Sequence, residues 1–238
     1  MSQFHDLINS NLIQGKIFFD KSLENLTWLK VGGKASCLYI PKNKEDLAVF
    51  LKHIDSKIKT SVFGRLSNVL IRDGGIPGVT ILIPPSFSQL EIHKNNKITF
   101  GSGLLDKNVS QFAYDNDLGG FEFLSGIPGN IGGAIAMNAG CYGSEIKDIA
   151  DEVLILERDG ELKSYNNEEM NFSYRNSIIK TDQIIIEATF QGRHENKSNI
   201  KEKIDAVISS REESQPSKVA TGGSTFKNPK EAKAWELI

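Results

Sequence analysis

Four glycines fall within the eight residues Gly126-Ile127-Pro128-Gly129-Asn130-Ile131-Gly132-Gly133, and Ala134 follows them. A stretch so poor in Cβ atoms takes backbone angles closed to other residues and lets its amide N–H groups approach an anion closely. The residues alone leave two readings open, a cradle for phosphate or diphosphate and a tight turn in a β-rich domain. The glycine spacing is not that of a doubly wound dinucleotide-binding turn, and no Gly-Lys-Ser/Thr follows as a Walker-type phosphate loop requires. A second candidate is Val62-Phe63-Gly64-Arg65-Leu66-Ser67-Asn68, where a strand runs into a small polar turn. By itself it reads more readily as an ordinary strand connection.

Around these segments the periodicity predicts alternating elements. Residues 1–19 read as a short amphipathic helix with Phe4, Leu7, Ile8 and Leu12 on one face, followed by a loop closing at Asp20. Residues 26–31 and 35–40 read as strands about Gly32-Gly33, and 44–55 as a helix capped by Asn43. Strands are expected at 60–64, 78–83, 90–93 and 97–101, and a helix at 105–116. Arg158-Asp159-Gly160 marks a hairpin between 151–157 and 161–165, because Asp-Gly suits the turns that twist strands together. A further strand is expected at 184–191. The stripe Ile200, Ile204, Val207, Ile208 predicts an amphipathic helix at 199–211, and 214–223 reads as a loop. Residues 229–238 read as a helix just starting, whose Ala234, Trp235, Leu237 and Ile238 have no further chain to pack on, so the terminus is expected to be truncated. Three units follow: residues 1–76, 77–194 and an incomplete 195–238.

Bulk properties narrow the function. With 39% hydrophobic and 24% charged residues, the 238-residue chain lies far from the composition of disordered chains. A formal charge of −2 with scattered Lys and Arg gives no footprint for nucleic acid, so small-molecule partners are expected. His5, His53, His93 and His194 lie far apart, and Cys37 and Cys141 have no neighbour at ligand or redox spacing, so no metal site and no disulfide framework are expected. Nothing approaches the roughly 20 apolar residues of a membrane span, and the first residues lack a secretory apolar run. A cytoplasmic protein without membrane contact is expected.

Read in order, Thr27-Trp28-Leu29-Lys30-Val31-Gly32-Gly33, Ser67-Asn68, Arg72-Asp73-Gly74-Gly75, Gly126-Ile127-Pro128-Gly129, Met137-Asn138-Ala139-Gly140, Tyr174-Arg175-Asn176-Ser177 and Gly223-Ser224-Thr225-Phe226-Lys227-Asn228-Pro229 closely resemble the UDP-N-acetylenolpyruvoylglucosamine reductase family, in its shorter type. The resemblance covers nearly all of the chain. It implies an α+β protein with the FAD-binding fold of vanillyl-alcohol-oxidase-like flavoproteins, in which two α+β subdomains are followed by an incomplete substrate domain. It further implies noncovalent FAD between the first two units. Gly64, Arg65, Leu66, Ser67 and Asn68 would lie on one side of its pyrophosphate, with Gly126, Ile127, Pro128, Gly129, Gly132, Gly133 and Ala134 on the other. No histidine stands in either segment, and Cys141 reads as a small buried residue.

The activity implied is reduction of UDP-N-acetylglucosamine enolpyruvate to UDP-N-acetylmuramate by NADPH through FAD, in two half-reactions, for peptidoglycan precursors. Arg175 would hold the substrate carboxylate, Ser224 would donate the proton, and Tyr174, Arg211 and Asn228 would contact the substrate. Three departures from the family stand out. Leu66 replaces the usual glycine of the first flavin loop and is expected to crowd the pyrophosphate. Ser214-Gln215-Pro216 lacks a lysine near the proline, leaving Arg211, Lys218 and Lys227 as nearby cations. The family's assisting glutamate has no counterpart before Ile238. Two alternatives stand beside this reading: an alcohol or sugar oxidase of the same flavin fold, against which the 223–229 segment argues, and an inactive flavin-binding fragment.

Overall fold

A computed structural model describes residues 2–214, 220, 226–229, 232 and 234–237. The chain opens with helix α1 (Ser2–Asn9), then strands β1 (Lys16–Ser22) and β2 (Lys34–Ile40), helix α2 (Lys44–His53), and strands β3 (Thr60–Phe63) and β4 (Ile76–Leu82). β1 through β4 form one mixed sheet in the order β1-β2-β4-β3, with β2 and β3 both parallel to the central β4. The sheet therefore runs to Leu82, past the expected division at 76/77. Two expectations near the start fail. Residues 16–19 belong to a strand rather than the first helix, because Lys16 to Phe19 pair with β2. Residues 26–31 form no strand: Glu24–Leu26 is a single 3-10 turn, and the Thr27 hydroxyl donates to the carbonyls of Glu24 and Val31, closing the backbone on itself.

α2 begins where Asn43 was expected to cap it, with its side-chain oxygen accepting the Asp46 N–H at 2.9 Å. Asp46 does more than extend the helix. Its buried carboxylate accepts the Gln14 N–H at 2.6 Å, the Lys42 N–H at 2.8 Å and the Tyr39 hydroxyl at 2.7 Å, tying β2, α2 and the segment before β1 to one point. Tyr39 in turn stacks on Phe50 with ring centroids 3.8 Å apart.

Next come β5 (Leu90–Ile92), β6 (Lys97–Gly101), α3 (Asp106–Asp115), β7 (Leu118–Gly119), α4 (Ile131–Ala136), β8 (Gly140–Cys141) and β9 (Ser144–Glu145). β10 (Ala150–Leu156), β11 (Leu162–Asn166), β12 (Ile184–Gln191), β13 (Arg193–His194) and α5 (Lys197–Ser214) complete the long elements. The second sheet is antiparallel, in the order β11-β10-β12-β6-β5, and the hairpin at Arg158-Asp159-Gly160 joins β10 to β11. α5 buries Ile200, Ile204 and Val207 of the expected stripe, while Ile208 stays exposed. At the chain end only Ala234–Glu236 makes a turn of 3-10 helix among the described residues, so the helix expected over 229–238 is not seen there. Most of the loop expected at 214–223 lies outside the described residues, as do Gln215, Pro216 and Lys218. No described helix is long and apolar enough to cross a membrane, and no described group of three or more His, Cys, Asp or Glu is arranged to hold a metal ion.

The run Ile184-Ile185-Ile186 faces two cores at once. Ile184 and Ile186, with Leu156, pack on Phe50 and Leu51 of the first unit and on Phe87, whereas Ile185, Ala188 and Phe190 pack with β6, α3 and α4. A register shift turns Ala188 and Phe190 to the same core as Ile185. Leu154 pairs with Glu187 but Ile155 with Ile185, so one extra β12 residue is inserted and the facing changes along the strand. Arg158 reinforces the same junction, donating to Leu51 O at 3.0 Å and Asp55 O at 2.7 Å at the C-terminal end of α2. We expect Asp46→Ala to lower the unfolding free energy by about 3 kcal/mol, because it leaves buried donors unmatched. Urea denaturation with an unchanged m-value checks this.

Candidate flavin site

The junction leaves a cleft of about 310 Å³ beside the shared core. One wall is β3 and the Gly64 that follows it; the other is built from Ser102, Gly132, Gly133, Ala136 and Ile185. Lys180 and Gln183 also line it. Gln183 is held in place by both oxygens of Glu157 at 3.0 Å, and its own oxygen accepts the Lys180 N–H at 2.9 Å.

The two loops singled out in the sequence meet here. Ser67 Oγ donates to Pro128 O at 2.9 Å, joining the turn after β3 to the glycine-rich segment. That segment is zipped to residues 102–106: Ile131 N–H donates to Leu104 O at 2.9 Å, Gly132 N–H to Ser102 O at 3.1 Å, and Asn130 Nδ2 to Gly103 O. The zipper explains the glycines. A Cβ on Gly132 would stand 2.7 Å from Ser102 Cβ, and one on Gly64 2.5 Å from Asn130 Oδ1. Gly133 has nothing within 4 Å of a Cβ position and leaves its stretch of the wall as bare backbone. Gly126 serves packing instead, since a Cβ there would meet Val207 of α5 at 2.7 Å.

The other expected cofactor residues divide by where their side chains go. Arg65 and Asn68 are exposed, and Asn68 Nδ2 lies 3.8 Å from Met137 Sδ. Ile127 packs against the second core and Ala134 is buried in it. Leu66 is left-handed, with φ 52°, which is the conformation that makes a glycine usual at such a position. Its side chain does not crowd the cleft as expected. It is 4% exposed and packs with Leu23, Ala35, Leu38 and Ile71.

Four buried polar residues near the cleft carry atoms without a hydrogen-bond partner: Ser102 Oγ, Asn130 Oδ1, both carboxyl oxygens of Asp106, and Ser110 Oγ. Asp106 is the most enclosed acid of the group, at 1% exposure. Its place in the first turn of α3 favours the ionised form by about 1 kcal/mol, but removing an unpaired carboxylate from water costs several, so burial wins. Burial accordingly holds its pKa well above the usual carboxylate range. The bare glycine wall beside the unpaired Ser102 hydroxyl, which can donate, fits the polar, anionic half of a dinucleotide such as FAD.

A second constellation lies by Gly126 and Cys141, outside the lining of the cleft. Arg175, left-handed at φ 54°, donates to Gly140 O at 2.8 Å and Asn138 O at 3.5 Å, with its guanidinium 5.1 Å over the Tyr174 ring. Tyr174 OH accepts the Asn228 N–H at 3.4 Å, and Arg211 donates to Gly126 O. Burial pushes the Cys141 thiol up to about 11, and the charges of Arg211 and Arg175 pull the other way, which puts both guanidinium groups near one point. Tyr174, Arg175 and Asn228 are thus brought together, and Arg211 joins them through the Gly126–Cys141 contact. Ser224 lies outside the described residues. Ser102, Asp106, Lys180 and Gln183 were not singled out in the sequence, and Asn130 entered only as a member of the glycine-rich segment; Gly101-Ser102-Gly103 is a spacing that could have marked Ser102.

Two α+β layers with a glycine-walled cleft between them define an FAD-binding flavoprotein, and residues 35–166 match the family described as FAD binding domain. The chain is 41% identical over 97% of its length to UDP-N-acetylenolpyruvoylglucosamine reductase of Rickettsia bellii, covering 76% of that protein, and 43% identical over 95% to the enzyme of Rickettsia akari, also covering 76%. It superimposes on the crystal structure of the Thermus caldophilus reductase with a TM-score of 0.81 at 30% identity, over 95% of this chain and 79% of that one. BBE-like 1 of Physcomitrella patens, at 15% identity and a TM-score of 0.60, shares the fold alone. The chain belongs to the UDP-N-acetylenolpyruvoylglucosamine reductase family, and it is an FAD-dependent oxidoreductase.

We expect Leu66→Gly to lose about 3 kcal/mol of buried packing and to regain about 1 kcal/mol of left-handed strain, a net destabilisation near 2 kcal/mol. Urea unfolding checks the loss. Flavin affinity measured by fluorescence quenching should change less than about twofold, since the side chain faces away from the cleft.

Proposed function

We propose that this chain reduces UDP-N-acetylglucosamine enolpyruvate to UDP-N-acetylmuramate with NADPH as reductant, in the synthesis of peptidoglycan precursors. The observation that carries the reading is the gathering of Tyr174, Arg175 and Asn228, with Tyr174 and Asn228 54 residues apart in sequence, at one place, joined by the Asn228–Tyr174 hydrogen bond and the Arg175–Tyr174 contact. The 41% identity to the Rickettsia bellii reductase supports it.

Bound FAD supplies the hydride chemistry, taking electrons from one substrate and passing them to the other. Residues 64–68 and 126–134 would hold the cofactor noncovalently, with backbone N–H groups along the bare glycine wall replacing water about its diphosphate. Arg175 binds the enolpyruvyl carboxylate. Its planar fork has more donors than its bonds to Gly140 O and Asn138 O use, and it stays charged through the reaction. As charge builds on that carboxylate during reduction, a fixed guanidinium stabilises it without reorganising. Ser224 donates the proton to the carbon beside the carboxylate, and Tyr174, Arg211 and Asn228 orient the nucleotide sugar.

Anaerobic titration tests this. NADPH is expected to bleach the flavin bands, and the enolpyruvyl nucleotide sugar to restore them; failure of the substrate to restore the bands overturns the assignment. Ser224→Ala should leave the NADPH half-reaction within about twofold and slow the substrate half-reaction by about 100-fold or more, because protonation belongs only to the second. Stopped-flow absorbance separates the two halves. Arg175→Lys should lower kcat/KM for the enolpyruvyl substrate by about 100-fold, since a point charge cannot replace a two-pronged carboxylate contact.

A further inference from the structure

Gly129 is the point where the two loops of the cleft and helix α3 come closest. It sits at φ 152°, and its Cβ position would lie 3.2 Å from Asp106 Oδ2 and 3.3 Å from Ser67 Oγ. Asp106 and Ser67 therefore flank the same side of one residue. The main chain of Asp106 is already bound there, its N–H donating to Gly129 O at 3.2 Å, and Leu105 bridges to Asn130. The Asp106 side chain is 1% exposed and neither of its oxygens has a hydrogen-bond partner in the protein. The next residue of the turn, Asn130, has a buried side-chain oxygen that also lacks one.

These neighbours decide which form of the acid fits. An ionised carboxylate only accepts hydrogen bonds, and no donor among the described residues reaches either oxygen of Asp106, so both would stay unmatched. It would also set a buried negative charge under loops that are to receive two phosphates. A carboxylic acid carries one donor and keeps an acceptor, which suits the Ser67 oxygen on the same side of Gly129, whose own proton is already given to Pro128 O. Buried acids held neutral in this way act as hydrogen-bond donors in other sites.

We propose that Asp106 is an uncharged positioning residue of the flavin site, fixing the Gly129–Asn130 turn against the diphosphate of FAD by hydrogen bonding rather than by charge. This rests on the placement of the diphosphate against residues 64–68 and 126–134 proposed above. The raised pKa that burial gives Asp106 agrees with it.

The test compares the whole chain with Asp106→Asn and Asp106→Leu, each freed of flavin and titrated separately with FAD and with riboflavin, which lacks the diphosphate. The wild type should prefer FAD. Asp106→Asn, which keeps a donor and an acceptor, should hold FAD within about threefold of wild type, whereas Asp106→Leu, similar in size but apolar, should weaken FAD at least about tenfold and leave riboflavin unchanged. An infrared spectrum of the wild type near neutral pH should carry a protonated-carboxyl band that Asp106→Asn removes.

If the wild type binds riboflavin as tightly as FAD, the placement of the diphosphate falls and this proposal falls with it. If the wild type prefers FAD but Asp106→Leu binds it equally well, the role of Asp106 alone is overturned. Loss of FAD in the Asn variant to the same extent as in the Leu variant, at unchanged melting temperature, means that the charged form works and overturns the proposal. Should Asp106→Leu fail to fold, the Asn titration and the infrared band decide: absence of the band in the wild type is a negative result.

Discussion

Leu156, Ile184 and Ile186 of the second sheet are buried with Phe87 against Phe50 and Leu51 of the first unit, and the rest of the molecule is arranged around that contact. Exposing a set of side chains this size would cost several kcal/mol. The two units are therefore one packed body along this seam rather than two domains on a hinge. Strand alternation presents isoleucines to both cores, and the shift of register in β12 turns Ala188 and Phe190 to the same core as Ile185. Where the seam ends, β3 and α4 diverge, and the space between them is the flavin cleft. The width of the site is thus set by apolar packing some residues away, with Arg158 pinning the far end of α2.

Within the cleft, main-chain bonds rather than side chains do most of the shaping. Residues 102–106 and 129–132 bond to each other so closely that Gly132 has no room for a Cβ. Several non-glycine residues near the site are left-handed, among them Leu66, Asn138, Tyr142 and Arg175. Such conformations cost about 1–2 kcal/mol each and survive only where surroundings hold them. At Leu66 the holding force is a buried side chain, and at Asn138 it is hydrogen bonds to Ser173 O and from the Lys147 N–H. At Arg175 it is the guanidinium on Gly140 O and the Tyr174 ring. These are four of the eleven described non-glycine residues with positive φ, and the others fall elsewhere in the chain.

The regular elements were legible in the residues where a single local rule governs them. Asn43 caps α2, the Asp159-Gly160 turn makes its hairpin, and 184–191 is a strand with the bounds expected. The misreadings fell where long-range contacts override local pattern. Residues 16–19 look helical by spacing, yet they are drawn into pairing with β2. Residues 26–31 look extended, yet the Thr27 hydroxyl folds them back. The division at 76 failed to foresee that β4 sits in the middle of the first sheet, because a parallel crossover leaves no local mark on the strand it reaches.

Family membership and the cofactor were written in short motifs, since a bare glycine run and an ordered series of polar triplets keep their meaning without coordinates. The crowding expected of Leu66 was not decided there, because a residue's φ and the direction of its side chain depend on what it packs against. Gly126 likewise reads as part of a phosphate cradle until α5 is placed on it. Asp106 carries no signal at all in sequence, being one acid at the start of one helix. Its burial comes from a glycine turn more than twenty residues later that folds over it. The sequence by itself determined which chemistry the chain carries, through backbone freedom and residue type. The tertiary structure decided which residues face the cleft and which acid is buried beside its loops, because burial and hydrogen-bond partners are supplied only by distant parts of the chain.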